Sequence, residues 1–153
     1  MRATKFGVQG FTLVEMLLAL AIVGLLAVFA VQSYQSHINK GYEAQAALDL
    51  GSLNQSVAAM RLREPSQTAA EWDARMQSLA ASLQAASPAG SRYRYEVELV
   101  SDGGRTRHYL YALPSENGAA ALWADGAGGI YRCDTAAAAR RREAGEHTAC
   151  RRI

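Results

Sequence analysis

The stretch from Gly10 to Val31 constrains this chain more than any other. Gly10-Phe11-Thr12-Leu13-Val14-Glu15 leads into an apolar run, Met16 to Val31, that no charged residue interrupts. About 20 apolar residues in a helix span the hydrocarbon core of a bilayer, so the segment is long enough to cross one. A secretory signal fits it poorly, because such signals have a shorter apolar core followed by a small-x-small cleavage site. Here the run is long, Glu15 sits at its start, and Val31-Gln32-Ser33-Tyr34 offers no such site. The segment is therefore expected to stay on the protein. Arg2 and Lys5 in the short leader favour a cytoplasmic amino terminus, which places everything after about Gln32 in an oxidising compartment.

The acid is the anomaly in that segment. A carboxylate inside a bilayer costs roughly 2.5–3.5 kcal/mol on insertion scales, so it normally has a partner and a task. Thr12-Leu13-Val14-Glu15 fits the S/T-x-x-E capping box, in which the acid closes orphan amides at a helix start. Alternatively Gly10–Phe11 is a cleavage site, and Glu15 answers the new amino group on Phe11. The residue types alone leave both readings open.

The run Gly10-Phe11-Thr12-Leu13-Val14-Glu15-Met16 resembles the class III signal of type IV pilins and type II secretion pseudopilins. The resemblance implies cleavage after Gly10 by a prepilin peptidase, methylation of Phe11, and a role for Glu15 in aligning the helix against a neighbouring subunit. It implies a leader over 1–10, a transmembrane and assembly half of the helix over 11–31, and an exported domain over 32–153. Where pilins commonly carry a proline this chain has Gln32, although Gly24 is kept. Those positions bracket a stretch that can unwind in assembled pili, and without the proline the helix can stay intact there.

Beyond the membrane segment, Ile38, Tyr42, Ala46, Leu50, Leu53, Val57 and Met60 recur at spacings of three and four, one apolar stripe on a polar helix. Glu64, before Pro65, marks the expected end. Thr68-Ala69-Ala70-Glu71 is a second capping box, opening a helix to about Ala86 with Trp72, Met76, Leu79 and Leu83 on one face. Tyr93, Tyr95, Val97 and Leu99 then alternate with Arg94, Glu96 and Glu98, the period of a half-buried strand. Asp102-Gly103-Gly104 is a hairpin signal, and strands are expected over 108–113, 119–124 and 130–133. The class is α+β: a long helix packed on an antiparallel sheet of about four strands. The pilin lollipop has that form.

With 153 residues, half of them apolar, the chain has room for one domain beyond the membrane segment. Its net charge of +2 falls towards zero once Arg2 and Lys5 leave, which argues against a general nucleic-acid coat but not against a local basic patch. Cys133 and Cys150 fit no metal or redox spacing and lie in the exported part, so a disulfide is expected. Closing that loop contributes about 3 kcal/mol in the chain-entropy picture. Within it, Arg140-Arg141-Arg142 form the candidate contact loop, with Arg151 and Arg152 just beyond the second cysteine.

No catalytic constellation, metal site or cofactor motif stands out, and the chain does not read as an enzyme. His37, His108 and His147 are scattered, and Asp125-Gly126-Ala127-Gly128-Gly129 lacks the lysine of a phosphate loop. Glu96 and Glu98 read as solvated, Trp72 and Trp123 as core. Val31-Gln32-Ser33-Tyr34-Gln35-Ser36, Leu113-Pro114, Leu122-Trp123 and Gly128-Gly129-Ile130-Tyr131-Arg132-Cys133 resemble minor pilins that promote bacterial aggregation and adhesion. The implied partners are major and minor pilins, the prepilin peptidase, the inner membrane before assembly, and other bacterial or host cells. DNA bound by the arginine-rich loop, as in uptake pilins, is the lesser alternative, and a secretion pseudopilin is another.

Overall fold

The computed structural model describes residues 12–64, 67–102, 105–116, 118–144 and 149–153, with the side chains of 30–33 and Asp102 left aside. Gly10 and Phe11 lie outside the described residues. The described elements are α1 (Leu13–Arg63), α2 (Ala69–Ala86), a 3₁₀ turn (Pro88–Ser91), β1 (Tyr93–Asp102), β2 (Arg105–Pro114), β3 (Ala121–Asp125), β4 (Ile130–Cys133), α3 (Ala136–Arg140) and β5 (Cys150–Arg152). The chain forms two compact units, the first ending at Ile38 and the second spanning Asn39–Ile153.

In the first unit α1 is apolar on every side. Each large apolar side chain from Leu13 to Phe29 is at least half exposed. A helix with no polar face and nothing covering it needs lipid or other helices as its surroundings. The 51-residue helix α1 runs without a break through Gly24 and Gln32, in keeping with the missing proline.

In the second unit α1 turns amphipathic. Ala46, Leu50, Leu53 and Val57 are buried, and Tyr42 packs at the margin of the same cluster. They meet Tyr93, Tyr95 and Val97 of β1, Leu110 and Ala112 of β2, Leu122 and Ala124 of β3, and Met76 and Ala80 of α2. Helix α2 begins at the expected box: the Thr68 hydroxyl accepts from the Glu71 amide, and the Glu71 carboxylate accepts from the Thr68 amide at 2.8 Å. Asp49 is buried within this layer, where Gln45 Nε2 donates to it at 2.9 Å and the Ser87 and Tyr95 hydroxyls donate as well.

The sheet has five antiparallel strands in the order β1-β2-β3-β4-β5, one more than expected. The added strand is β5, three residues held to β4 beside the cysteines. Three residues with two arginines carry no alternation, which is why the sequence does not announce it. Both faces of the sheet are covered. The reverse face buries Tyr111, Leu113, Ala121, Trp123, Ala138, Ala139 and the two cysteines. Accordingly, the first four residues of β3, Ala121–Ala124, are buried without alternation, as in a central strand covered on both sides.

α2 covers the first half of the outer edge of β1. Gln84 accepts from the Tyr95 amide at 2.9 Å and donates to the Tyr93 carbonyl at 2.9 Å, while Gln77 donates to the Val97 carbonyl at 3.2 Å. Leu50 lies at the centre of the helix–sheet layer and is fully buried. Leu50→Ala should lower the unfolding free energy by about 2–5 kcal/mol. The exposed neighbour Leu48→Ala should cost under about 0.5 kcal/mol, both read by urea denaturation of the full chain in detergent.

Candidate assembly helix and contact surface

At the start of α1, Glu15 is bound locally. Its carboxylate accepts from the Thr12 amide and the Thr12 hydroxyl, each at 2.9 Å, and the Glu15 amide donates to the same hydroxyl at 3.3 Å. These are the reciprocal bonds of a capping box. In the single chain the acid therefore has a partner, one that a neighbouring amino group would have to compete with or share. α1 is long and apolar enough to cross a membrane, with a mean hydropathy of 2.7 in its most apolar window.

The second surface is the loop between the cysteines. Cys133 and Cys150 are disulfide-bonded and face each other across β4 and β5. The bond joins both ends of a segment that opens, just after Cys133, into the short helix α3. Thr135 caps α3 by accepting from the Ala138 amide at 3.1 Å. Ala138 and Ala139 are buried against the reverse face of the sheet. The sequence reads this region as a polar loop. Its alanines carry too little apolar bulk to reveal themselves as a buried helix.

The three candidate contact arginines are engaged by the protein itself. Arg140 donates to Glu96 at 2.7 Å, Arg142 donates to Glu98 at 2.8 Å and to the Tyr111 hydroxyl at 3.0 Å, and Arg141 pairs with Glu143. Glu96 and Glu98 thus lie under the loop as its anchors, which corrects their reading as a solvated face. Tyr111 also donates to Glu98 at 2.6 Å; that bond, with Arg142 beside it, holds the Glu98 carboxyl below the usual carboxylate range. Burial, reinforced by Glu98, pushes the Tyr111 hydroxyl up to about 12. The Arg142 guanidinium lies 4.5 Å from the centroid of the Tyr109 ring. Arg151 and Arg152 on β5 are exposed.

Arg142 has a backbone cost that its side chain offsets. Its φ is 55°, the left-handed region. It follows the end of α3, where the Arg142 amide donates to the Ala139 carbonyl and the Glu143 amide to the Ala138 carbonyl. That is the Schellman arrangement, which favours glycine at this position.

The histidines do not converge. His37 is exposed, His147 lies outside the described residues, and His108 is buried with Nε2 at 2.8 Å from Asn54 Oδ1. Desolvation, then Arg61, pulls the His108 pKa down to about 4. Among the described residues no group of three or more histidine, cysteine or acidic side chains could hold a metal ion.

The prokaryotic N-terminal methylation motif matches residues 5–31. The fold matches the crystal structure of the Neisseria meningitidis minor type IV pilin PilX with a TM-score of 0.63 at 19% identity, over 75% of this chain and 99% of that one. The chain thus carries the methylation motif at its amino terminus and has the fold of the type IV pilin PilX. It is also 39% identical over 49 residues to the fimbrial protein EcpB of Eikenella corrodens, and spans about a third of that relative (31%). Type IV pilins are structural subunits, not enzymes. They are processed by a prepilin peptidase and assembled with other pilins, passing from a membrane-anchored precursor to the pilus surface.

Two measurements test this account of the contact surface. Arg142→Gly should be more stable than Arg142→Ala by about 1 kcal/mol, since both lose the side-chain contacts but only glycine relieves the left-handed backbone. Equal stabilities would remove the strain from the account. A histidine whose folded pKa is about 4 against an ordinary 6.5 leaves the unfolded chain binding the proton first. Its contribution is therefore intact above pH 6.5 and is lost as pH falls towards 4. Denaturation across that range should show His108→Gln losing less stability on acidification than the parent chain.

Proposed function

We propose that this chain is a type IV pilin, a minor subunit of the pilus that contributes to pilus-mediated aggregation and adhesion. In this reading the chain is cut after Gly10, Phe11 is N-methylated, and 11–31 is the part that leaves the bilayer to pack among like helices. Glu15 then answers the Phe11 amine of the assembling subunits. The exported domain, 32–153, presents the surface between Cys133 and Cys150 to other bacteria or host cells.

The observation that carries the reading is the contrast within α1. One length of it buries a narrow stripe against the sheet, and the other exposes every large apolar side chain. A membrane satisfies that second length before assembly, and a helical filament core satisfies it afterwards. The surface beyond β4 supports a contact role, since the disulfide, α3 and the ion pairs to β1 anchor residues 133–142 on the sheet. Adhesive surfaces gain affinity from such preorganisation.

DNA uptake through Arg140, Arg141 and Arg142 draws less support, because each has a carboxylate partner within the protein. A phosphate contact there would have to displace Glu96, Glu98 or Glu143. A secretion pseudopilin predicts loss of protein export on deletion, with piliation unaffected.

The test is mass spectrometry of filaments sheared from cells, paired with an aggregation assay of the deletion strain. The expected peptide begins at methylated Phe11, and Glu15→Ala should be processed yet reduced severalfold in the sheared fraction. Normal filament content of that variant would overturn the role of Glu15. A deletion strain that is piliated and aggregates normally would overturn the adhesive reading.

A further inference from the structure

One corner of the second unit is held by polar contacts rather than by packing. On α1 past Val57, on β1 past Val97 and on β2 before Leu110, His108 is the one buried side chain among the described residues. The corner is thin for a topological reason. β2 pairs with β3 only from Tyr109 onwards, so Arg105–His108 are paired on the β1 side alone. A two-stranded ribbon is marginal by itself, and segments with few buried apolar contacts open at a lower cost than the core beneath them.

Side-chain bonds from α1 close this corner. His108 Nε2 lies 2.8 Å from Asn54 Oδ1, Asn54 Nδ2 donates to the Asp125 carbonyl at 3.1 Å, and Arg61 donates to the Thr106 carbonyl at 3.4 Å. Asn54 and Arg61 both belong to α1, so the bonds tie that helix to the overhang of β2 and to the turn after β3. With its amide committed to Asp125, Asn54 offers His108 an acceptor, and Nε2 carries the proton. Nδ1 is buried without a hydrogen-bond partner among the described residues. A neutral ring tolerates a bare acceptor there.

A charged ring has no such place. The added proton puts an N–H on Nδ1 and a charge on the ring, where an unpaired buried charge is costly. Few charged groups face it. From α1, Arg61 is another cation. From β3, Asp125 is the nearby acid, but its Oδ1 accepts from the Ala127 and Gly129 amides at 3.0 and 2.7 Å, which holds it in its own turn. β1 places the uncharged Leu99 opposite His108. Gly126 lies so close that a Cβ there would come within 2.9 Å of His108 Cε1, which leaves the ring little room to turn to another acceptor. Burial and then Arg61 accordingly hold the His108 pKa at about 4, with Asp125 opposing them.

We propose that His108 is an acid-sensitive latch: when its ring becomes charged, the end of α1 and the overhang of β2 part from each other and fray, while the layer beneath them stays folded. The direction follows from linkage. The closed corner resists the proton and the open one takes it at the ordinary 6.5, so closure is at full strength above pH 6.5 and weakens as pH falls towards 4. Between pH 7.5 and pH 4.5 the opening constant should rise by about 50-fold. The latch responds to acid alone and is independent of the adhesive reading.

The test is hydrogen exchange read by mass spectrometry on the full chain in detergent micelles at pH 7.5 and 4.5, each rate divided by the intrinsic rate at that pH. Protection over 58–63 and 105–109 should fall by about 50-fold on acidification, while 110–113 and 121–124 keep theirs. His108→Gln retains a donor for Asn54 but cannot become charged, so its protection should hold at pH 4.5. Asn54→Ala should lose protection severalfold already at pH 7.5. Unchanged protection in the parent, an equal fall in His108→Gln, or an equal fall across the whole sheet would overturn the latch. Titration of the histidine rings by NMR keeps the test open if a variant fails to fold: His108 should titrate well below the exposed His37, and coincident titration of the two would also overturn it.

Discussion

The structure of the second unit depends on burial of the Ala46-Leu50-Leu53-Val57 stripe against the inner face of the sheet. The stripe is narrow, one residue per helical turn, and it meets small and large side chains in alternation: alanines at 112 and 124, leucines at 110 and 122. α2 closes the same layer from the side through Met76 and Ala80. With that layer in place, β1 is held from behind, and its outward carboxylates Glu96 and Glu98 become fixed points for the segment between the cysteines. The start of that segment is thus positioned indirectly by a helix on the other side of the sheet.

The two lengths of α1 show how one element serves two environments. Up to Phe29 it lacks a polar face, and later it has an apolar stripe only as wide as the sheet requires. A charged residue in the first length is tolerated because Thr12 satisfies it within one turn. An acid already closed on its own helix start is less costly at the edge of an apolar segment than a bare one.

Much of this was readable in the amino acids, for identifiable reasons. The apolar run, both capping boxes and the α1 stripe rest on local periodicity and cap chemistry, and each stands where expected. Tyr93 to Leu99 alternates, so β1 was legible; β3 is apolar throughout because both its faces are covered, so only its approximate place was. What escaped was set by tertiary contact. β5 is too short to have a period, α3 hides in an alanine tract, and Glu96 and Glu98 look solvated until the loop folds over them. The arginines of that loop stood out as a charge run, yet charge in sequence says nothing of what it will face. Asn54 and His108, separated in the chain and unremarkable in composition, are brought to one hydrogen bond by the packing of α1 beside β2.

The half-covered edge of β1 has a consequence for how copies of this domain meet. Sheets recruit one another through unpaired backbone along their outer strands. Here Gln84 and Gln77 bond the Tyr93 carbonyl, the Tyr95 amide and the Val97 carbonyl, and the opposite margin is only the short, arginine-bearing β5. Strand-to-strand stacking between copies of this domain is therefore confined to the far half of β1, beyond Val97.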